Sequence, residues 1–169
     1  MFKVTKEIHF CYGHRLLNYD GKCRFFHGHN GRVEVELSSD TLDQRGMVRD
    51  FGDIKKVLQT WVDDTLDHRM ILNEKDPLRA TLEKAGEPVF VIPNNPTAEN
   101  IARLIYETAE AKGLPVTSVK LWETANAFAT YTLNTFAAHT SSLSSSADFS
   151  GGPMDPRLTA AEDDGPKVS

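Results

Sequence analysis

Two runs of alternating apolar and polar residues near the start of the chain constrain its fold more than any other feature. Phe2, Val4, Ile8 and Phe10 share one parity, and Val33, Val35 and Leu37 repeat the pattern. An apolar side chain at every second position marks a strand with one buried face. Two such strands open the domain and are expected to pair antiparallel. Between and within them, His14, Cys23, His27 and His29 fall inside sixteen residues. Residues two apart on a strand point to the same face, so His27 and His29 offer their imidazoles to one ion, while Gly28 leaves the other face bare. A third histidine from a nearby segment would complete a three-nitrogen site beside a reactive thiol.

Zinc suits this set because it accepts neutral imidazole. Three protein ligands leave a fourth position for water or substrate, which is the catalytic pattern. Two plainer readings stand beside it. The histidines could be unrelated polar residues at a strand end, or Cys23 could be the fourth ligand of a closed structural site. Cys-x-x-x-His-x-His does not have the paired-knuckle spacing of structural zinc.

The rest of the chain fills in an α+β plan. A short third strand is expected around Gly46-Met47-Val48-Arg49, followed by Asp50 as the cap of a helix. Phe51, Ile54, Val57, Leu58, Trp61 and Val62 recur at three- and four-residue spacing and form its apolar stripe, ending near Leu66. A second helix starts in Asn95-Pro96-Thr97-Ala98-Glu99-Asn100, where Thr97 caps and Glu99 complements the positive end of the helix dipole. Gly113 and Pro115 stop it. Val116 to Thr124 and Phe128 to Thr132 read as two closing strands. The order predicts an antiparallel sheet with the two helices packed on one face, and edge strands that need partners.

Of fifteen aromatic residues, only Phe149 lies beyond position 138. We therefore place the domain at residues 1–137 and read 138–169 as a disordered tail rich in Ser, Gly, Pro and acidic residues. The formal charge of -5 and the lack of a Lys/Arg run argue against nucleic acid or an anionic membrane as the main partner. No segment has the length and apolarity of a membrane span, and two cysteines imply no disulfide framework, so a cytoplasmic protein is expected. Cys11, in an apolar and aromatic context, reads as a small buried hydrophobe.

Two further constellations suggest chemistry. Asp67 and His68 follow the first helix. They read either as a histidine stabilised by the helix dipole beside a solvated acid, or as a charged pair facing a cleft and a thiol supplied from elsewhere. Glu123 shares parity with Val119 and Leu121, which places a carboxylate on the apolar face. A buried carboxylate needs a donor-rich partner. It could mark where the strand leaves the core, or it could grip the two parallel N–H donors of a guanidine-like edge such as that of a pterin or guanine.

At this point the residues resemble a known family. His14, Cys23-x-x-x-His27-Gly28-His29, Leu66-Asp67-His68, Asn95-Pro96-Thr97-x-Glu99-Asn100 and Trp122-Glu123-Thr124 stand in the order and spacing of the 6-pyruvoyl-tetrahydropterin and 6-carboxytetrahydropterin synthase family, over residues 1 to about 135. The resemblance implies a tunnelling fold (T-fold), in which trimers close their sheets into a β-barrel and stack as a homohexamer with active sites between subunits. It also implies that His14, His27 and His29 bind zinc, Cys23 accepts a proton, Asp67 and His68 tune or relay its charge, Glu123 holds the pterin, and Thr97 and Glu99 lie near the substrate. That substrate is 7,8-dihydroneopterin triphosphate. The three-residue gap between Cys23 and His27 resembles the carboxy-forming branch of the queuosine pathway, which releases acetaldehyde and triphosphate, rather than the pyruvoyl-forming branch. Cys11-Tyr12-Gly13 and Asn30-Gly31 depart from the family pattern, where small residues precede the first ligand and an aromatic follows His-Gly-His.

Two rivals remain. A cupin-type site would use His27-x-His29 with Glu34, but Glu34 faces away from both in an unbroken strand, and only His68 and His139 follow. A non-catalytic zinc-stabilised binding module would close the coordination sphere and leave Glu123 unexplained.

Overall fold

The computed structural model describes residues 1–133, so the expected tail over 138–169 lies outside the described residues. The two alternating runs become long strands, β1 (Phe2–His14) and β2 (His27–Ser39), joined through a short 3-10 turn at Lys22–Arg24. They pair antiparallel over their whole length, from Phe2 opposite Ser39 to His14 opposite His27. The predicted helix is present but irregular: α1 (Phe51–Ile54), a π-helical stretch at Lys55–Gln59, and α2 (Thr60–Thr65) follow without a break. Asp50 caps it as expected, its carboxylate accepting from the Gly52 amide at 2.7 Å. After β3 (Arg69–Asn73), α3 (Arg79–Lys84) and β4 (Val89–Ile92) comes α4 (Ala98–Ala111), capped by Thr97. The strands β5 (Val116–Thr124) and β6 (Ala127–Tyr131) close the domain.

The six strands form one sheet in the order β4-β3-β1-β2-β5-β6. The antiparallel set β1, β2, β5 and β6 is the sheet expected from sequence; β3 and β4 extend it in parallel, making it mixed. One face carries the core. Ile8, Phe10 and Tyr12 of β1, Val33, Val35 and Leu37 of β2, and Val119 and Leu121 of β5 pack with Ile54, Leu58 and Val62 and with Ile101, Ile105 and Ala109 of α4. Removing these side chains from water is the main drive for laying both helical segments on that face. The edges, β4 and β6, have no strand partner among the described residues.

One expected strand is absent. Gly46–Arg49 is a turn, because the Asp43 carboxylate collects the amides of Arg45 and Met47 at 2.8 and 3.0 Å and the Asp43 carbonyl takes that of Gly46. Gly46 itself sits at φ +78°. A side chain that satisfies these amides locally competes with a ladder, and only glycine takes the left-handed turn cheaply.

Candidate metal centre and active site

Antiparallel register gathers the three histidines. His14 lies directly opposite His27, and His29 lies opposite Tyr12, so all four side chains share the face that carries the core. One nitrogen from each of His14, His27 and His29 lies within 4.8 Å of the others. His14 is 3% exposed. Its Nδ1 stands 2.6 Å from the Pro96 carbonyl, an acceptor only, so Nδ1 carries the proton and donates it. Nε2 is left with a lone pair, buried and without a partner. The His27 Nδ1 likewise donates to the Phe25 carbonyl at 2.9 Å. A buried acceptor left unpaired is costly, and a cation held jointly with two other imidazoles removes that cost. Burial lowers the His14 pKa against the opposing Pro96 bond and the Glu123 charge, which keeps the ring neutral and ready to ligate. The donor set therefore fits zinc in its three-histidine form.

The segment before α4 holds this arrangement in place. Asn95 grips the backbone beyond β1, its Oδ1 accepting from the Leu17 amide and its Nδ2 donating to the Leu17 carbonyl, both at 2.8 Å. Asn100 in turn donates to the Asn95 carbonyl. Arg15, next to His14, makes a two-pronged pair with Asp76 at 2.7 and 3.0 Å, and the Asp76 side chain is wholly buried. Sequence reasoning missed both supports. For the first, the signal is Asn95 in the Asn95-Pro96-Thr97 motif, whose side chain binds the backbone of a segment far off in sequence.

Glu123 stands beside the cluster, its Oε1 3.9 Å from His14 Nε2. It lies on the core face with Val119 and Leu121, as its parity predicts, and is partly exposed. The Tyr12 hydroxyl donates to Glu123 Oε1 at 2.9 Å. Tyr12 is 3% exposed and stacks on Phe10 with ring centroids 5.1 Å apart. Burial, reinforced by the Glu123 charge, pushes its phenol pKa up, so it stays a donor.

Asp67 and His68 form a separate corner. Asp67 Oδ1 accepts from the Cys11 amide at 2.7 Å, Oδ2 pairs with His68 Nδ1 at 2.7 Å, and the His68 amide donates to the Cys11 carbonyl at 2.6 Å. Burial pushes the Asp67 carboxyl up, but the Cys11 amide and the His68 ring outweigh it and hold it below the ordinary value. His68 adopts φ +54°, uncommon for a residue with a side chain, and its ring is 78% exposed. None of the pair's hydrogen bonds reaches the histidine cluster, Cys23 or Glu123. His68 borders a pocket of about 580 Å³ whose lining also includes His27, His29, Cys11, Asn30 and Met70. Cys11 is not the buried hydrophobe expected: it is half-buried, and its thiol donates to Asn30 Oδ1 at 3.0 Å. Its parity is opposite to the core face of β1.

Cys23 sits half-buried in the Lys22–Arg24 turn, tied by its carbonyl to the Leu16 amide. It is not among the residues whose ligand atoms converge on the histidine cluster. Thr97 caps α4 by accepting from the Asn100 amide, and Glu99 is exposed in the first helical turn.

Comparison with known proteins gives a consistent picture. The family model described as 6-pyruvoyl tetrahydropterin synthase matches residues 3–134. A protein named 6-carboxy-5,6,7,8-tetrahydropterin synthase from Rickettsia bellii is 38% identical over 135 residues, covering 76% of this chain and 98% of its own length. One of the same name from Haemophilus influenzae is 37% identical over 139 residues, covering 78% and 99%. The solved 6-pyruvoyl tetrahydropterin synthase of Caenorhabditis elegans superposes with a TM-score of 0.60 at 26% identity, over 79% of this chain and 96% of that one.

Proposed function

From the premise that the chain belongs to the 6-pyruvoyl tetrahydropterin synthase family, we propose that it is a zinc-dependent carbon-carbon lyase, converting 7,8-dihydroneopterin triphosphate to 6-carboxy-5,6,7,8-tetrahydropterin with release of acetaldehyde and triphosphate. The observation that carries this reading is the buried, unpartnered Nε2 of His14, met by two more imidazoles and flanked by a carboxylate. The product assignment leans on the relatives named 6-carboxy-5,6,7,8-tetrahydropterin synthase and on the Cys23-x-x-x-His27 spacing. That product places the protein in the route to queuosine and other 7-deazaguanine nucleosides, in the cytoplasm.

His14, His27 and His29 hold the zinc. Bound there, zinc supplies a Lewis acid for the side-chain oxygens of the substrate. Glu123, 3.9 Å from the metal-facing nitrogen of His14, holds the pterin by accepting from ring N–H on the side that faces the metal. Cys23, as thiolate, takes a proton from a side-chain carbon of the substrate at Sγ. Asp67 fixes the His68 ring through Nδ1 and leaves its Nε2 to exchange a proton with that thiol. The pair serves the Cys23 of a neighbouring copy, which fits an exposed His68 and the edges of β4 and β6, which have no strand partner among the described residues. A hexamer built as two stacked trimers joins those edges. Thr97, through its cap, and Glu99 border the substrate at the start of α4.

The test is incubation of the purified, zinc-loaded protein with 7,8-dihydroneopterin triphosphate, followed by mass spectrometry of the pterins and assay for acetaldehyde. Carboxy-tetrahydropterin with acetaldehyde is the expected result. A pyruvoyl product without acetaldehyde would move the chain to the other branch. No turnover by folded, metal-loaded protein would point to a zinc-stabilised binding module instead.

A further inference from the structure

Each ligand of the histidine cluster needs something to hold its ring. His14 and His27 are fixed through Nδ1, by the Pro96 carbonyl at 2.6 Å and the Phe25 carbonyl at 2.9 Å. The His29 ring makes no hydrogen bond to any described residue, and it is only half-buried. The torsion that turns an imidazole about its Cβ–Cγ bond is broad, so an unheld ring presents either edge to an ion. Metal-bound histidines ordinarily have a hydrogen-bonded partner that prevents this, and its loss costs about 10–100-fold in affinity.

Tyr12 stands where that partner would be. It is directly opposite His29 in the β1–β2 ladder, where facing Cβ atoms are about 5 Å apart. Besides the other two ligands, it supplies the one aromatic ring packed on His29 among the described residues, with centroids 5.7 Å apart. It also meets the His14 ring at 5.3 Å and an interplanar angle of 73°. The phenol ring is itself immobile. It stacks on Phe10 with centroids 5.1 Å apart, and its hydroxyl donates to Glu123 Oε1 at 2.9 Å. Gly31 makes the room, because a Cβ there would meet Cε1 of both Phe10 and Tyr12 at 3.1 Å.

We propose that Tyr12 is a positioning residue for the metal centre: a rigid wall that orients the His29 imidazole by packing, where backbone carbonyls orient His14 and His27. This rests on the reading of the three histidines as a zinc cage. The role belongs to the ring and not to the hydroxyl, which separates it from any part Glu123 takes in holding the substrate.

The experiment is competition for zinc between the full chain and a chromophoric chelator, with chemical denaturation measured on each variant. Tyr12→Phe keeps the wall and is expected to bind zinc as tightly as wild type. Tyr12→Ala removes the wall and is expected to lose roughly tenfold or more in zinc affinity. Leu37→Ala opens a cavity at the far end of β2, so it should unfold more easily yet keep its zinc. In a His29→Ala background, Tyr12→Ala should cost little further affinity, since the ring it orients is gone. If Tyr12→Ala does not fold, Tyr12→Leu, which fills the core without a flat wall, is read by the same criteria. Zinc affinity in Tyr12→Ala equal to wild type, or lowered no more than in Leu37→Ala, would overturn the proposal. An equal loss in Tyr12→Phe would overturn it by moving the role to the hydroxyl. An undiminished Tyr12→Ala effect in the His29→Ala background would overturn it by moving the role to His14. Full zinc affinity in His29→Ala itself would remove the three-histidine cage, and the proposal with it.

Discussion

The three-histidine cluster and the Asp67–His68 corner lie on neighbouring elements yet are built on opposite principles. The cluster is clamped: His14 is buried, its Nδ1 is fixed by Pro96, and the chain on either side of it is tied by Asn95 and Asp76. The corner is presented: Asp67 is anchored to the Cys11 amide, and it holds out a ring that is 78% exposed. A metal cage must be fixed within one chain before the ion arrives, whereas a group that serves a second surface has to be oriented but uncovered. Mutations should therefore cost stability and metal together in the first region, and activity alone in the second.

The largest effect is expected from Asp76→Ala. It strands the Arg15 guanidinium and removes the acceptor for the Leu78 amide, in a place where the Asp76 side chain is wholly buried. Breaking such a pair costs about 3 kcal/mol. Chemical denaturation should show that loss, and zinc should be lost to a chelator sooner because Arg15 adjoins His14. An unfolding midpoint within error of wild type would mean that the clamp is not a clamp.

Asn95→Ala is the milder attack on the same region. It deletes both bonds to Leu17 and is expected to cost about 1–2 kcal/mol. Because Pro96 follows Asn95 and orients His14, zinc affinity should fall at least tenfold, as for other groups that orient a metal ligand. Stability loss without any change in zinc competition would separate the clamp from the cage.

This clamp also shows what the sequence could and could not reveal. The parity of His27, His29 and Glu123 is a local property of a strand, so their shared face was readable. His14 joined them because an antiparallel pair turns back on itself. The Pro96 carbonyl is a main-chain group 82 residues from His14, and no pattern of side chains announces it. The strands β3 and β4 were unreadable for another reason: five and four residues of apolar chain are too short for any period to declare itself. Tyr12 stood out in the sequence as a departure, but its bond to Glu123 depends on where β5 lies in the sheet.

In the exposed corner, pH sharpens the contrast. The Asp67 carboxyl is held below its ordinary value, so its contribution to stability is complete above about pH 4, the unfolded value, and disappears as pH falls through the depressed folded value. Asp67→Asn removes this dependence while its side-chain oxygen still accepts from the Cys11 amide. Its stability at neutral pH should therefore drop by less than about 1 kcal/mol. The acid limb of its pH–stability curve should be flatter than that of wild type. Parallel acid limbs would show that the His68 and Cys11 contacts do not act through ionised Asp67.

The smallest effect on stability, and the most informative on function, belongs to His68→Ala. The ring is mostly exposed, and replacing a residue at φ +54° by alanine exchanges one strained side chain for another. Unfolding should shift by about 0.5 kcal/mol or less, with zinc retained and turnover lost. Cys23→Ala should be equally inactive and equally folded. Mixing the two inactive variants under conditions that allow subunits to exchange then decides which chain His68 serves. If a site takes Cys23 from one subunit and His68 from another, random mixing in equal amounts restores both groups in about a quarter of the sites. If both groups act within one chain, every chain still lacks one of them, and no mixture recovers activity. Recovery would give the exposure of the corner its reason, while silence at every ratio would place the pair and the thiol in a single subunit and collapse the contrast between the two regions.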